Sequence, residues 1–196
     1  MGSPSLHRLA VATALLLAGS RAAAQAGSIT GKVDVVPAKY AEETVVYLKD
    51  AKPPAAPRTV SMDQKALKFQ PKVLVVAKGD TVKFLNHDTV AHNVYSPDGE
   101  AYNLGTFKPN EDRTHVFDQE GAYTQLCSIH PEMLAFIYVA PNHLAAAVDA
   151  KGHYAIKDVP PGTYKLAVWN SHLKAPDKPV TVEAGKAAKV DFSLKR

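Results

Sequence analysis

The chain is poor in sulfur and in tryptophan: its 196 residues include one cysteine, three methionines and one tryptophan. A single cysteine cannot form an internal disulfide, so a disulfide scaffold is excluded. Histidine pairs of the H-x-H kind, a glycine-rich phosphate loop, a nucleophile elbow and an H-E-x-x-H motif are all absent from the sequence. The acidic residues also show no paired arrangement. We therefore predict a protein that is not an enzyme.

Long apolar runs are also missing. The longest, residues 9–18, is well short of the ~20 residues that a membrane-spanning helix needs. It lies between a short basic region, His7 and Arg8, and a small-x-small cleavage site at residues 24–26. This is the pattern of a secretory signal peptide over residues 1–26, and a retained anchor is the less favoured alternative. We predict a soluble protein that is exported to the periplasm or secreted.

The charge is nearly balanced. The whole chain carries 23 basic and 19 acidic residues, a net charge of +4. Removal of Arg8 and Arg21 with the signal peptide leaves 21 basic residues against 19 acidic ones, or +2. Such a small excess does not predict binding to nucleic acid or to an anionic membrane surface.

In an oxidising compartment a free thiol is a liability, and metal ligation would cap it.

The only cysteine begins a short cluster of metal-binding side chains. Cys127, His130 and Met133 follow one another at intervals of three residues, in the pattern C-x-x-H-x-x-M. A thiolate, an imidazole and a thioether, together with one more histidine, are the ligands of blue-copper electron-transfer sites. Structural zinc sites use cysteine, histidine and carboxylates rather than thioethers, which makes zinc the weaker interpretation. The sequence predicts one copper site.

The second histidine has to come from upstream, where His87 and His92 share one loop. The pattern Asn86 … His92-Asn93-Val94, then Gly-Ala-Tyr at residues 121–123, then C-x-x-H-x-x-M, resembles the cupredoxins, among them plastocyanin and amicyanin. The resemblance covers roughly residues 58–140 and implies a Greek-key β-sandwich. In that family the upstream ligand directly precedes Asn-Val, which favours His92. His87 stays as the alternative, a polar loop residue beside the site.

The resemblance also implies how the site is built. It implies that His92, Cys127, His130 and Met133 bind one type 1 copper ion, which cycles between Cu(I) and Cu(II). Electrons would pass through a partly exposed His130. The partner would be a redox protein, a cytochrome or an oxidoreductase, that docks weakly and briefly.

Residues next to the ligands are expected to tune the site. By the same resemblance, Asn93 would tie the upstream ligand loop to Ser128 through a hydrogen bond. Pro131 has no N–H to donate and would stiffen the ligand loop. The apolar residues expected around His130 are Ala91, Pro131 and Met133.

Short β-rich segments on both sides of this region predict a second β-sandwich. The string from Asp149 to Leu166, D-x-x-G-x-Y-x-I-x-x-V-P-P-G-x-Y-x-L, resembles the carboxypeptidase regulatory-like (transthyretin-like) sandwich. In that family two strands precede the string, and residues 28–36 and 44–50 have the matching patterns. The expected fold class is therefore all-β, a cupredoxin sandwich plus a small transthyretin-like sandwich.

The order of these segments predicts an insertion. Residues 27–51 and 141–196 would form the second sandwich, with the cupredoxin domain, residues 52–140, placed between its strands. The alternative is a contiguous C-terminal sandwich, with the N-terminal hairpin added to the edge of the cupredoxin. Trp169 is expected in the core of the second sandwich. The histidines expected at the surface are His115, His143, His153 and His172.

Three functions fit these patterns. The first is a mobile electron carrier, and the second is a protein that stores or delivers copper in the exported compartment. The chain has just three methionines and one closed ligand set, and both facts count against copper storage or delivery. The third is a non-redox binding module built on the transthyretin-like sandwich, which no aromatic stripe in residues 141–196 supports. The chain is also similar to exported bacterial plastocyanin-like proteins, some of them labelled methylamine-utilisation proteins, although no methylamine chemistry follows from these residues.

Overall fold

The computed structural model describes residues 25–52 and 56–195, which form strands and one short 3₁₀ helix, Ala38–Glu43. The expected all-β fold is confirmed. The predicted signal peptide lies outside the described residues, apart from residues 25 and 26. No helix within the described part of the chain is long and apolar enough to cross a membrane. The strands are β1 Gly27–Val35, β2 Thr44–Leu48, β3 Thr59–Lys65, β4 Lys68–Gln70, β5 Val73–Ala77, β6 Thr81–Asn86, β7 His92–Ser96, β8 Tyr102–Phe107, β9 Asp112–Val116, β10 Gly121–Leu126, β11 Leu134–Ala140, β12 Ala145–Ala147, β13 His153–Val159, β14 Gly162–Asn170, β15 Lys178–Val182, β16 Ala187–Lys189 and β17 Phe192–Leu194.

Strands β3 to β11 make a two-sheet sandwich. One sheet has the order β5-β11-β10-β7-β8 and the other has the order β4-β3-β6-β9. Strand β6 shows how the sequence specifies the faces: Val82, Phe84 and Asn86 are buried, and the residues between them are half-buried. This alternation follows from the two-residue repeat of a strand, which turns every second side chain toward the core. The core also holds Cys127 and Met133.

The first and last strands of the chain share a second two-sheet sandwich. Strand β1 pairs with β13 in antiparallel register and with β16 and β17 in parallel register. The other sheet has the order β12-β2-β14-β15. Gly31 lets β1 pass close to the segment between β16 and β17, because a Cβ atom there would lie 1.8 Å from the carbonyl oxygen of Val190. The pairings support the proposed insertion, while the domain boundaries remain a prediction.

An aromatic cluster joins the two sandwiches. The Trp169 ring of β14 lies 5.6 Å from Phe136 and 5.2 Å from Tyr138, both on β11, measured between ring centroids. Tyr138 also contacts Tyr47 of β2, at 5.1 Å. The expectation that Trp169 lies in the core of the second sandwich was wrong. The indole belongs to a separate cluster between the sheets, because its face of β14 is covered by the first sandwich.

A buried contact between a histidine and an aspartate lies at the same junction. His143, in the segment that leaves β11, has Nε2 at 3.0 and 2.9 Å from the two carboxylate oxygens of Asp80. The Asp80 side chain is 2% exposed and that of His143 is 14% exposed. The expectation that His143 is a surface residue was therefore wrong. Arg58 and Ala77 donate their backbone N–H groups to the same carboxylate, so each oxygen of this buried group has a partner.

Candidate metal centre

The predicted ligand loop joins two neighbouring strands of one sheet. Strand β10 ends at Leu126 and β11 begins at Leu134, and the two strands are paired in antiparallel register up to these residues. Inside the loop, the backbone N–H of Met133 donates to the carbonyl oxygen of His130 at 3.0 Å. Cys127 is buried, whereas His130 is half-buried. The loop thus holds a buried sulfur and a partly accessible imidazole at the edge of the sandwich.

The upstream histidine stands at the start of a strand. His92 is the first residue of β7 and is fully buried, and it pairs with Phe107 of β8. His87 is not part of the cluster: its side chain is 52% exposed and its Nδ1 lies 2.9 Å from Asp63 Oδ2. His92 is therefore the upstream histidine that the fold brings to the ligand loop.

Three of the predicted ligands converge. His92, Cys127 and His130 each offer a donor atom, and these atoms lie within 4.8 Å of one another. His92 Nδ1 is 3.0 Å from His130 Nδ1, which is itself 3.8 Å from Cys127 Sγ. Two imidazole nitrogens and a sulfur facing one point form a donor set suited to a copper ion. The residues present fit the metal that the sequence motif predicts.

The fourth predicted ligand, Met133, lies on the inner side of the loop. It is 1% exposed and belongs to the same core cluster as Cys127. Its role as a ligand remains a prediction.

The Met133 side of the loop faces the second sandwich. A cavity of about 350 Å³ is lined by Met133 and by residues of the 3₁₀ helix, including Lys39 and Glu43. Lys72 links the two sides, because its Nζ donates to the carbonyl oxygen of Leu134 at 3.0 Å and lies 3.5 Å from Glu43 Oε1. The candidate metal centre therefore lies close to the junction of the two sandwiches.

Asn93 connects the two ligand segments. Its backbone N–H points at Cys127 Sγ, at 3.3 Å, and its side-chain oxygen accepts a hydrogen bond from the backbone N–H of Ser128, also at 3.3 Å. The Asn93 amide in turn donates to Asn103 Oδ1 at 2.8 Å. Asn93 therefore holds the upstream ligand loop and the Cys127 loop together from both its backbone and its side chain. Pro131 is exposed and makes no such contact through its nitrogen.

One residue beside the centre was missed by sequence reasoning. Asp88 Oδ2 lies 3.0 Å from His92 Nε2, the ring nitrogen that faces away from the donor cluster. The backbone N–H groups of Leu67 and Thr89 also donate to the Asp88 carboxylate, and these bonds hold its pKa below the ordinary value. The only signal in the sequence is an aspartate four residues before a histidine, which is too common to single out.

Exposed apolar side chains flank the ligands in the sequence. Ile129 directly precedes the half-buried His130 and is 48% exposed, and Val90, two residues before His92, is 42% exposed. The expectation that Met133 belongs to this surface was wrong, because its side chain is turned into the core. Exposed apolar residues are instead found next to the ligands in both the upstream loop and the Cys127 loop.

Comparison with known families identifies the first sandwich. Residues 56–140 match the model described as copper binding proteins of the plastocyanin/azurin family, a region that covers less than half of the chain. The resemblance to cupredoxins is thereby confirmed, and this region is a cupredoxin domain. Residues 144–190 match the model described as polysaccharide lyase family 4, domain II. The narrower resemblance to transthyretin-like sandwiches remains a prediction.

Solved structures with partial similarity include several copper proteins. A novel purple cupredoxin from Nitrosopumilus maritimus is 28% identical, with 41% of this chain and 99% of that chain covered and a TM-score of 0.39. A copper-containing nitrite reductase from Thermus scotoductus SA-01 is 29% identical, with 43% and 22% covered and a TM-score of 0.40. A reduced Cu(I) form of an amicyanin mutant at pH 4 is 27% identical, with 41% and 81% covered and a TM-score of 0.39. With TM-scores this low, these likenesses carry no conclusion of their own.

Proposed function

We propose that this protein is an exported electron carrier in which His92, Cys127, His130 and Met133 hold one type 1 copper ion. The observation that carries the proposal is the convergence of the first three donor atoms within 4.8 Å of one another. When bound, copper supplies a one-electron couple between Cu(I) and Cu(II). Met133 would be the fourth ligand, because the motif supplies a thioether and the fold buries it in the same core cluster as Cys127.

The protein's part is to keep the donor atoms in place. His92 begins a paired strand, and Cys127 follows the end of another, so both backbones are fixed by the sheet. Asn93 ties the two segments to each other. Donors held in one arrangement need little movement when the charge of the site changes, which keeps the barrier to electron transfer low. A closed set of protein ligands also leaves no position for a substrate, which is why we propose a carrier rather than an enzyme.

His130 is the ligand through which we expect electrons to pass. It is half-buried, in contrast to the buried His92 and Cys127. Exposed Ile129 directly precedes it, and exposed Val90 lies in the loop that carries His92. Exposed apolar side chains next to a partly accessible ligand suit short-lived docking. We propose a cytochrome or an oxidoreductase as the partner.

Export follows from the signal-peptide pattern of residues 1–26, and we propose a periplasmic or secreted location. A single thiol in such a compartment is protected when a metal occupies it, and Cys127 is buried beside two imidazoles. Removal of the signal would leave the inserted arrangement, residues 27–51 and 141–196 around residues 52–140, as the mature protein.

The spectrum of the copper-loaded protein tests the ligand assignment. We expect an intense thiolate-to-copper absorption band and a narrow copper hyperfine splitting in the EPR spectrum, both lost in Cys127→Ser and in His92→Ala. His87→Ala is the matched control, because this histidine lies in the same loop but pairs with Asp63 outside the cluster. A pale Cu(II) spectrum that is indifferent to Cys127 would refute the proposal.

Two further measurements separate a carrier from a copper-delivery protein. Electron self-exchange, measured by NMR line broadening in mixtures of Cu(I) and Cu(II) protein, should be fast and should slow in Ile129→Lys. Rapid loss of copper to a chelator, with slow self-exchange, would favour copper storage or delivery instead.

A further inference from the structure

The carboxylate of Asp88 makes three close polar contacts, two within its own loop and one with the turn between β3 and β4. Its Oδ2 is 3.0 Å from His92 Nε2 and accepts the backbone N–H of Leu67 at 2.8 Å. Its Oδ1 accepts the backbone N–H of Thr89 at 2.8 Å. Only 11% of the Asp88 side chain is exposed, and the His92 side chain is fully buried. Water therefore has little access to the bond between them.

This bond determines which ring nitrogen of His92 carries the proton. A carboxylate can only accept, so Nε2 must donate to Asp88. The other nitrogen, Nδ1, is then left with a free lone pair, and it is Nδ1 that faces His130 and Cys127. A metal ligand whose second nitrogen donates to a carboxylate is fixed both in tautomer and in ring orientation.

The same carboxylate also anchors a strained turn. Ala66 and Leu67, between β3 and β4, have φ angles of 53° and 56°, in the left-handed region that non-glycine residues rarely adopt. The hydrogen bond from Leu67 N to Asp88 helps to hold this turn against the upstream ligand loop. The same hydrogen bond restricts the carboxylate, which is therefore not free to rotate away from His92.

We propose that Asp88 is a positioning residue for the metal centre: it holds His92 in the tautomer and orientation that direct Nδ1 to the metal, and its negative charge favours the oxidised ion. The second half of this statement rests on the proposed function, whereas the first half concerns only the protein's own side chains. A nearby negative charge stabilises Cu(II) more than Cu(I), so loss of the charge should raise the reduction potential.

The matched control is a second aspartate–histidine pair in the same region. Asp63 pairs with His87 at 2.9 Å and also accepts two backbone N–H groups, from Gln64 and His87 itself. It resembles Asp88 in its contacts, but its histidine is exposed and lies outside the donor cluster. Asp63→Asn therefore removes a comparable charge and comparable loop contacts without touching a ligand.

The first measurement uses the metal-free protein at pH 8. Long-range ¹H–¹⁵N correlation spectra of the histidine rings report which nitrogen is protonated. We expect His92 to be protonated at Nε2 alone in the unsubstituted protein and in Asp63→Asn, and to lose this single tautomer in Asp88→Ala. A His92 ring protonated at Nδ1 in the unsubstituted protein would overturn the proposal, and this result needs no variant to fold.

The second measurement is the midpoint potential of the copper-loaded protein. Removal of outer-shell partners of metal ligands typically changes affinity 10- to 100-fold. We expect Asp88→Asn to shift the Cu(II)/Cu(I) equilibrium about tenfold toward Cu(I), which is about 59 mV for one electron. Asp63→Asn should shift it much less, and Asp88→Glu should restore part of the original value. Equal shifts of the midpoint potential in Asp88→Asn and Asp63→Asn would show that any nearby negative charge has the same effect. This result would overturn the proposed role of Asp88 in favouring the oxidised ion.

The two measurements also separate this proposal from the proposed function. A protein that gives no thiolate-to-copper band has failed as a blue-copper carrier, yet the His92 tautomer in the metal-free protein still decides whether Asp88 positions the ring. Conversely, a normal blue spectrum with a His92 tautomer that does not depend on Asp88 would leave the carrier intact and overturn the positioning role.

Discussion

Replacing Trp169 with alanine should weaken the junction between the two sandwiches and uncouple their unfolding. The indole belongs to β14 of the second sandwich, but its aromatic contacts are Phe136 and Tyr138 on β11 of the cupredoxin domain. The junction cluster also contains buried Val45 and Val73, one from each sandwich. Trp169 therefore contributes to the apolar contact between the two units, together with these valines and the aromatic rings of β11.

The expected loss can be worked from these contacts. Each aromatic pair contributes about 0.5–1.5 kcal/mol beyond the area that it buries. Truncation of a buried tryptophan to alanine costs about 3–5 kcal/mol, and Trp169 is half-buried, so we expect about 2–4 kcal/mol. This is a large share of the 5–15 kcal/mol (roughly) by which domains are typically stable. Trp169→Phe keeps an aromatic ring at the junction and should lose less than half as much.

Urea unfolding of the metal-free protein is the assay. Trp169 is the only tryptophan, so its fluorescence reports on the junction while far-UV circular dichroism reports on all sheets. In the unsubstituted protein both signals should change in one coincident transition. In Trp169→Ala, the circular dichroism transition should occur at lower urea and separate into two steps. Transitions that already differ in the unsubstituted protein, or a loss below about 1 kcal/mol in the alanine variant, would refute the coupling.

Three further predictions concern single side chains. In the copper-loaded protein, Cys127→Ser should abolish the thiolate-to-copper absorption band, and an unchanged visible spectrum would contradict its role as a ligand. His115 stacks on Tyr102 at 4.0 Å, and burial lowers its pKa below the ordinary 6.5. The unfolded chain then binds the proton more readily, so stability should fall as the pH drops below about 6.5. His115→Gln should flatten this dependence of the urea midpoint between about pH 5 and 7, and an equal slope in both proteins would argue against it. His143→Ala should cost about 1–3 kcal/mol in urea unfolding, because it removes one partner of the buried Asp80 carboxylate, and a loss below about 0.5 kcal/mol would show that the contact contributes little.

The candidate site was largely predictable from local spacing. Cys127 and His130 are three residues apart on one tight loop, so any fold that forms the loop brings them close. His92 could be chosen over His87 only through the resemblance to cupredoxins, and the structure explains the choice: one is buried at the start of β7, the other is exposed beside Asp63. Asp88 could not be found in this way, since nothing in its sequence neighbourhood shows that its carboxylate meets a ring nitrogen.

The expectations for Trp169 and His143 failed for a related reason. Each lies on a segment whose own pattern indicates only a strand or a loop, and the partners, Phe136 and Asp80, come from a different sandwich. Alternation along a strand tells which residues share a face, but it does not tell what covers that face. Met133 was expected at the surface around His130, and its burial in the core was missed in the same way.

The sequence by itself determined the all-β character, the C-x-x-H-x-x-M motif from Cys127 to Met133, and the repeated strand patterns on both sides of the cupredoxin region. These depend on intervals of two or three residues along the chain, and short intervals act through local geometry. Only the tertiary structure decided that strands from the two ends of the chain share both sheets, that Trp169 contacts the first sandwich, and that the Asp88 carboxylate lies against His92. Such contacts join residues that are distant in sequence or differently oriented, and they form only when the packing of whole sheets fixes which faces and loops meet.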